Sequence, residues 1–269
     1  MIWLSIIALA LMQGITEFLP VSSSGHLAIM SALFGIDPEK GLMFSIALHA
    51  GSLLAIVVFY FKTLLGFFKK DQLHLLGMVI ISTIPAGIAG VLLKKSGFAE
   101  ALFGDLLSIG FALVLTGAIL RLTGKPKLTA NATTELKDRT LRQALTVGFA
   151  QMFAIAPGIS RSGATISAGI LSGIKFEAAA TFSFLLALPA IAGAALLEII
   201  DIIKNGFSYN GLTPLQLGAG FIISAAASFA TLVFLVALIK RKKLSVFSYY
   251  VTIAGLAVIV WQLIKINRG

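Results

Sequence analysis

Displaced by 138 positions, this 269-residue sequence aligns with itself without a gap. Gln13 meets Gln151, Ser22 meets Ser160, Ser24 meets Ser162 and Gly25 meets Gly163. From 13 to 48 there are 11 identities in 36 positions, where so biased a composition gives roughly three by chance. Gly117 meets Gly255 later at the same offset. Such a duplication restricts the fold severely: whatever residues 1–131 build, residues 139–269 build again, with a short polar linker between them.

What each copy builds follows from its apolar runs. The chain is 58% hydrophobic and 12% charged, with a mean hydropathy of +1.00. Three runs per half approach the roughly 20 residues that a helix needs to cross a bilayer. They fall near 41–61, 74–93 and 101–122, then near 178–200, 214–239 and 246–266. Each half begins instead with a broken segment, interrupted by FLPVSSSGH in the first and IAPGISRSG in the second. Proline lacks an N–H, and clustered serines compete for backbone bonds, so helices stop there. The flanking pieces, about 1–18 and 26–36 in the first half, are short for a crossing and suit a re-entrant hairpin.

Three crossings per half is an odd number, so the second copy enters with opposite orientation. The expected fold class is an all-α integral membrane protein with an inverted repeat. Each half holds a re-entrant helix hairpin plus three transmembrane helices, in a single membrane domain spanning 1–269. Fourteen lysines and arginines collect on one side, at 62, 69, 70, 121, 125, 127, 137, 139, 142, 175 and 240–243. Six collect on the other, at Lys40, Lys94, Lys95, Lys204, Lys265 and Arg268. Positive charge marks the cytoplasmic side. Both termini and the mouth of the first hairpin therefore face outward, and the two hairpin tips meet near the midplane.

Composition narrows the chemistry. With no cysteine, disulfides and thiolate catalysis are excluded. Three histidines are too few for a histidine-rich centre, so a metal has to be held by oxygen. The net charge of +10 matches cytoplasmic loops and anionic lipid headgroups rather than nucleic acid. No positive n-region with a small-residue cleavage site opens the chain, so a removed leader is not expected. Membrane lipids are the expected surroundings, and a homo-oligomer is compatible with the sequence.

The polar residues stand out because unpaired polar groups in hydrocarbon cost several kcal/mol each. Gln13 and Glu17 are four apart, hence on one helix face, and can hold a hard cation such as Mg2+ or Ca2+, or a proton. His26 follows the break and suits proton transfer or attack. Arg161 is the one cation deep in an apolar stretch. Its planar fork suits phosphate, and an ion pair with Glu17 is its structural alternative. Around it Ser160, Ser162 and Gly163 form a loop that can cradle an anion, matched in the first copy by Ser22 and Ser24. The offset places Ser23, His26 and Glu17 opposite Arg161, Ala164 and Ile155. The scaffold repeats while the chemistry does not: a carboxylate, hydroxyls and an imidazole stand against an anion clamp, which suits phosphoryl chemistry.

Other polar residues have plainer readings. His49 bonds a neighbouring backbone, and His74 lies in a cytoplasmic loop. Glu39 and Glu177 suit helix N-termini. Glu198 and Asp201 reach toward headgroups, and Asp105 is interfacial.

QGITEFLPVSSSGH resembles the (E/Q)xxxE segment and the following PVSSxGH of the bacterial undecaprenyl-pyrophosphate phosphatase family, the bacitracin-resistance type. PGISRSG is similar to that family's second signature, and FSFLLALPA (182–190) to another recurrent stretch. The three fall in the expected order and cover essentially the whole chain. The resemblance implies a multi-pass hydrolase of the bacterial plasma (inner) membrane with its site opening outward. It implies conversion of undecaprenyl pyrophosphate into undecaprenyl phosphate and inorganic phosphate, which recycles the lipid carrier for peptidoglycan synthesis. Gln13, Glu17, Ser23, His26 and Arg161 match its functional positions, and it implies dependence on Mg2+ or Ca2+. Attack by His26, by Ser23 or by water is left open. The rival reading is an inverted-repeat secondary transporter or a flippase for the lipid carrier.

Overall fold

A computed structural model describes residues 3–36, 42–67, 69, 72–96, 105–205, 211–241 and 243–267. Glu39, Lys40, Lys70, Lys242 and Arg268 lie outside them, as do the side chains of Lys94, Lys95 and Asp201. The described residues form twelve helices, joined by one isolated bridge between Thr134 and Ile174. The first half holds α1 (Trp3–Thr16), α2 (Ser23–Leu33), α3 (Leu42–Phe59), α4 (Phe61–Gly66), α5 (Leu73–Ser96) and α6 (Leu106–Thr123). After α7 (Pro126–Thr129) come α8 (Leu141–Phe153), α9 (Arg161–Leu171), α10 (Phe176–Asn205), α11 (Pro214–Lys240) and α12 (Val246–Ile266).

Five helices are long and apolar enough to cross a membrane: α5, α6, α10, α11 and α12. The apolar helix α3 falls just short of that length. The first, second, eighth and ninth helices have 14, 11, 13 and 11 residues, well under the roughly 20 a crossing needs. Outward faces carry exposed Leu4, Ile88, Leu215 and Ile253, the surface a hydrocarbon solvent accepts. Local chemistry sets the helix starts. Asp105 caps α6 by accepting from the amides of Leu107 and Ser108 at 3.0 Å. Thr140 with Gln143, and Thr213 with Gln216, form capping boxes at α8 and α11.

Helices from the two halves interlock. The first helix packs on α11 while α8 packs on α5, and α3 meets both α10 and α11. Ser52 and Ser224 hydroxyls lie 3.2 Å apart between α3 and α11, and Ser228 donates to Ser52 at 2.9 Å. Small residues permit the closest crossing, where α6 and α12 run antiparallel. A Cβ on Gly255 would stand 2.6 Å from the Gly110 carbonyl oxygen, and one on Gly117 would stand 3.0 Å from that of Ser248. The main core joins Phe18 and Val21 of the first tip to Ile166, Phe182, Phe184, Leu232 and Val251.

The segment between the halves is fastened. Lys175 pairs with Glu135, and Arg139 is buried with its guanidinium over the Phe182 ring at 4.2 Å. Burial pushes the Arg139 pKa down to about 10. His74 belongs to the first turn of α5, not to a loop, and its Nε2 is 3.1 Å from the Arg139 carbonyl. That contact ties the start of α5 to the segment leading into α8.

Candidate active site

Two turns are built alike. Between α1 and α2 the chain reverses through Phe18–Val21, where Pro20 has no amide to donate. Ser22 closes the turn with φ of 71°, the only positive φ at a non-glycine among the described residues. Its hydroxyl accepts from the Gly25 amide at 3.3 Å and so caps α2. Between α8 and α9, Gly158 takes the positive φ (89°), and the Ser160 hydroxyl accepts from the Gly163 amide at 3.1 Å. Only glycine fits at 158, because a Cβ there would stand 2.6 Å from the Ile109 carbonyl oxygen.

The two tips touch. Ser162 donates to the Leu19 carbonyl at 2.9 Å. A Cβ on Gly25 would come within 3.2 Å of the Gly158 Cα. Both meet α6: the first tip comes close to Ile109, and for the second Thr116 donates to the Gly158 carbonyl and accepts from the Ser160 amide. The N-termini of α2 and α9 thus converge, and both contribute positive potential there.

The Glu17 carboxylate lies at that junction. Its Oε1 accepts from Arg161 Nη2 at 2.8 Å, and its Oε2 accepts from Ser23 Oγ at 2.6 Å and Gln13 Nε2 at 3.0 Å. The side chains of Arg161 and Glu17 are 15% and 7% exposed, enough burial to make each indispensable to the other. Arg161 is steadied from behind. Its Nη1 reaches the Ser183 carbonyl at 3.5 Å, and Thr165 donates to the Arg161 carbonyl at 2.7 Å while its hydroxyl lies 2.6 Å from that of Ser183.

His26 lies one turn beyond Ser23, on the same face of α2. Nδ1 stands 2.8 Å from the Ser22 carbonyl and Nε2 stands 2.8 Å from the Tyr250 hydroxyl. His49, on α3, bonds the Ser45 carbonyl through Nδ1 at 2.8 Å and lies within electrostatic reach of Glu17.

Gln13, Glu17, Ser23 and Arg161 thus form one bonded cluster, with His26 beside it. Ser22, Ser160, Ser162 and Gly163 carry hydrogen bonds within or between the tips, while Ser24 is exposed, its hydroxyl 3.3 Å from that of Ser22. Sequence reasoning missed Tyr250, Thr165 and Ser183, while His49 bonds a neighbouring backbone as expected. One signal for Ser183 was available, because Phe44-Ser45 and Phe182-Ser183 repeat at the offset.

For a hard cation the donors are limited but suitable. Gln13 is fully buried, and its Oε1 has no hydrogen-bond partner, the kind of orphan acceptor that a cation satisfies. Among the described residues no three His, Cys, Asp or Glu side chains gather as a metal cage. Gln13 and Glu17 therefore fit Mg2+ in its usual mode, with few protein oxygens and the remainder from phosphate and water.

Comparison with known proteins follows the same residues. The profile of the family described as bacitracin resistance protein BacA matches residues 6–257. A protein of Bacteroides thetaiotaomicron named undecaprenyl-diphosphatase is 40% identical over 274 residues, covering 98% of this chain and all of its own. Another of that name, from Halothermothrix orenii, is 38% identical over 257 residues, covering 95% of this chain and 96% of its own. This chain belongs to the bacitracin resistance protein BacA family.

Proposed function

We infer that this chain is an undecaprenyl-diphosphatase, a membrane hydrolase that cleaves undecaprenyl pyrophosphate to undecaprenyl phosphate and inorganic phosphate. Family membership and the relatives' names support the reaction. The observation that carries the site is the single carboxylate of Glu17, which holds Ser23 and Arg161 together across the two tips.

In this reading the substrate's terminal phosphate takes over Arg161, whose fork matches two phosphate oxygens. The converging N-termini of α2 and α9 add to the attraction. Ser23 already shares its proton with a carboxylate at 2.6 Å, so its oxygen is the group best prepared to attack. The Ser23 oxygen bonds to the terminal phosphorus and the bridging P–O bond breaks. The Ser23 proton passes to Glu17, and undecaprenyl phosphate leaves. Water then loses a proton to His26 and bonds to the phosphorus of the phosphoserine, the P–Oγ bond breaks, Ser23 takes its proton back from Glu17, and phosphate leaves. Gln13 and Glu17 would hold the divalent cation, Mg2+ or Ca2+, whose chemistry is to neutralise developing phosphate charge. Pairing a hydroxyl and a base with an anion clamp favours hydrolysis over the transporter alternative.

The inverted repeat, with halves 1–131 and 139–269 and a re-entrant hairpin in each, belongs to the same proposal. Helix bounds support it: α2 begins at Ser23 and α9 at Arg161, 138 positions on. Crossing geometry adds to the support. The pair Gly110–Gly255 becomes Ser248–Gly117 when the halves are exchanged. Equivalent helices that meet antiparallel are related by an axis perpendicular to them, which inverts one half in a membrane. The loop charges favour an outward-opening site.

The test is phosphate release from a prenyl pyrophosphate by detergent-purified protein, with and without Mg2+ or Ca2+, beside Arg161→Ala. Metal-dependent release that the variant lacks is expected. No release from folded protein under any metal overturns the reading.

A further inference from the structure

Tyr250 reaches His26 across 224 positions of sequence. It lies in the first half of α12, two residues beyond Ser248, where that helix packs closely on Gly117 of α6. The neighbouring Tyr249 has another partner, the guanidinium of Arg121 at 5.1 Å from its ring centroid. The two rings of Tyr250 and His26 lie nearly parallel, 14° apart, with centroids separated by 5.6 Å.

Both imidazole nitrogens are therefore engaged, and the partners decide the tautomer. A carbonyl oxygen only accepts, so the nitrogen facing Ser22 carries the hydrogen: Nδ1–H donates to that oxygen. In the neutral ring Nε2 is then a lone pair, and the phenol hydroxyl donates to it at 2.8 Å. Of the two, the Ser22 carbonyl comes from the strained residue that caps α2, so one side of the ring is tied to the turn itself. The other side is tied to α12. His26 is 6% exposed and Tyr250 50% exposed, so the phenol has room to turn aside when a water takes its place at Nε2.

We propose that Tyr250 is a positioning residue for the hydrolysis, its hydroxyl holding the His26 ring in one orientation while the Ser22 carbonyl keeps Nε2 the proton-accepting nitrogen. This rests on the role given to His26 above. Without the hydroxyl, the ring keeps its stacking partner and the Ser22 bond that sets the tautomer but loses the bond that fixes Nε2 in place. Outer partners of this kind change activity by about 10–100-fold when removed.

The experiment uses the full-length protein in detergent, labelled with 15N-histidine, as wild type, Tyr250→Phe, Tyr249→Phe and His26→Ala. The His26 resonances are identified by their absence from His26→Ala. Tyr250→Phe should lower kcat about tenfold with KM for a prenyl pyrophosphate unchanged, and should move the His26 Nε2 resonance, whose lone pair loses its donor, with Nδ1 still protonated. Tyr249→Phe should match wild type in both readouts. Unchanged kcat, or unchanged His26 nitrogen shifts, in folded Tyr250→Phe overturns the proposal. Full turnover by His26→Ala would overturn it as well, by removing His26 from the reaction, and the Nε2 shift would then report a structural contact only.

Discussion

Glu17 and Arg161 are separated by 144 positions in the chain and by 2.8 Å in the fold. Neither could sit where it does alone. The pair closes the contact between two tips that belong to different halves, and in the proposed reaction it is also the clamp that a pyrophosphate enters. One interaction therefore serves stability before substrate arrives and binding afterwards.

Removing one partner strands the other. Arg161→Met should lower the melting temperature and cost about 3–5 kcal/mol, besides abolishing turnover. The double variant Glu17→Gln with Arg161→Met should regain much of the stability and none of the activity. Thermal unfolding in detergent separates the two effects; a double variant no more stable than the single would contradict them.

Ser23 is the attacking group in our reading, so its loss should reach the chemical step. Ser23→Ala is expected to lower kcat at least about 100-fold with little change in KM. Rapid acid quench with terminally labelled substrate should trap phosphoprotein in wild type and none in the variant.

Gln13 offers the cation an orphan amide oxygen. Gln13→Glu supplies a second carboxylate, and added ligand charge tightens hard-cation sites. The Mg2+ concentration giving half-maximal phosphate release should fall about tenfold. A rise, or no change, would take Gln13 out of the metal site.

Asp105 gives a pH signature away from the site. The Ser108 hydroxyl, with the amides of Leu107 and Ser108, holds its carboxyl below the ordinary 3.8. A folded-state pKa lower than the unfolded one stabilises above pH 3.8 and fades as pH falls through the folded value. Asp105→Ala should therefore cost about 1 kcal/mol at pH 7, and the difference from wild type should shrink in acid unfolding below pH 3.8.

The crossing of α6 and α12 tolerates no bulk. Gly255→Val pushes side-chain atoms against the Gly110 carbonyl and should cost about 1–3 kcal/mol, read as a lower melting temperature with KM preserved in what remains folded.

Much of this was visible in the residues. The six apolar runs reappear as α3, α5, α6, α10, α11 and α12, and the breaks at Pro20 and Pro157 fall in the two tips. Those are local facts: an apolar run and a missing amide act within a few residues. Tyr250 was not visible, because its meeting with His26 depends on how closely α12 approaches α6 at Gly117. Ser183 was hidden for the same reason, since it supports Arg161 from α10, while Thr165, one turn along α9 from Arg161, has no repeat mate to mark it. His74 looked like a loop residue because helix starts rarely announce themselves within two or three residues.

The interlocking of the halves has a consequence for biosynthesis. The surface on which α1 packs is provided by α11, which starts roughly 200 residues later. At about 5–20 residues per second of synthesis, α1 waits on the order of 10–40 s for α11, and the Glu17 carboxylate about 7–29 s for Arg161. During that interval the emerging chain has an intramembrane acid with no arginine to meet it, so insertion machinery or neighbouring lipid headgroups must shelter the first hairpin until translation reaches the second.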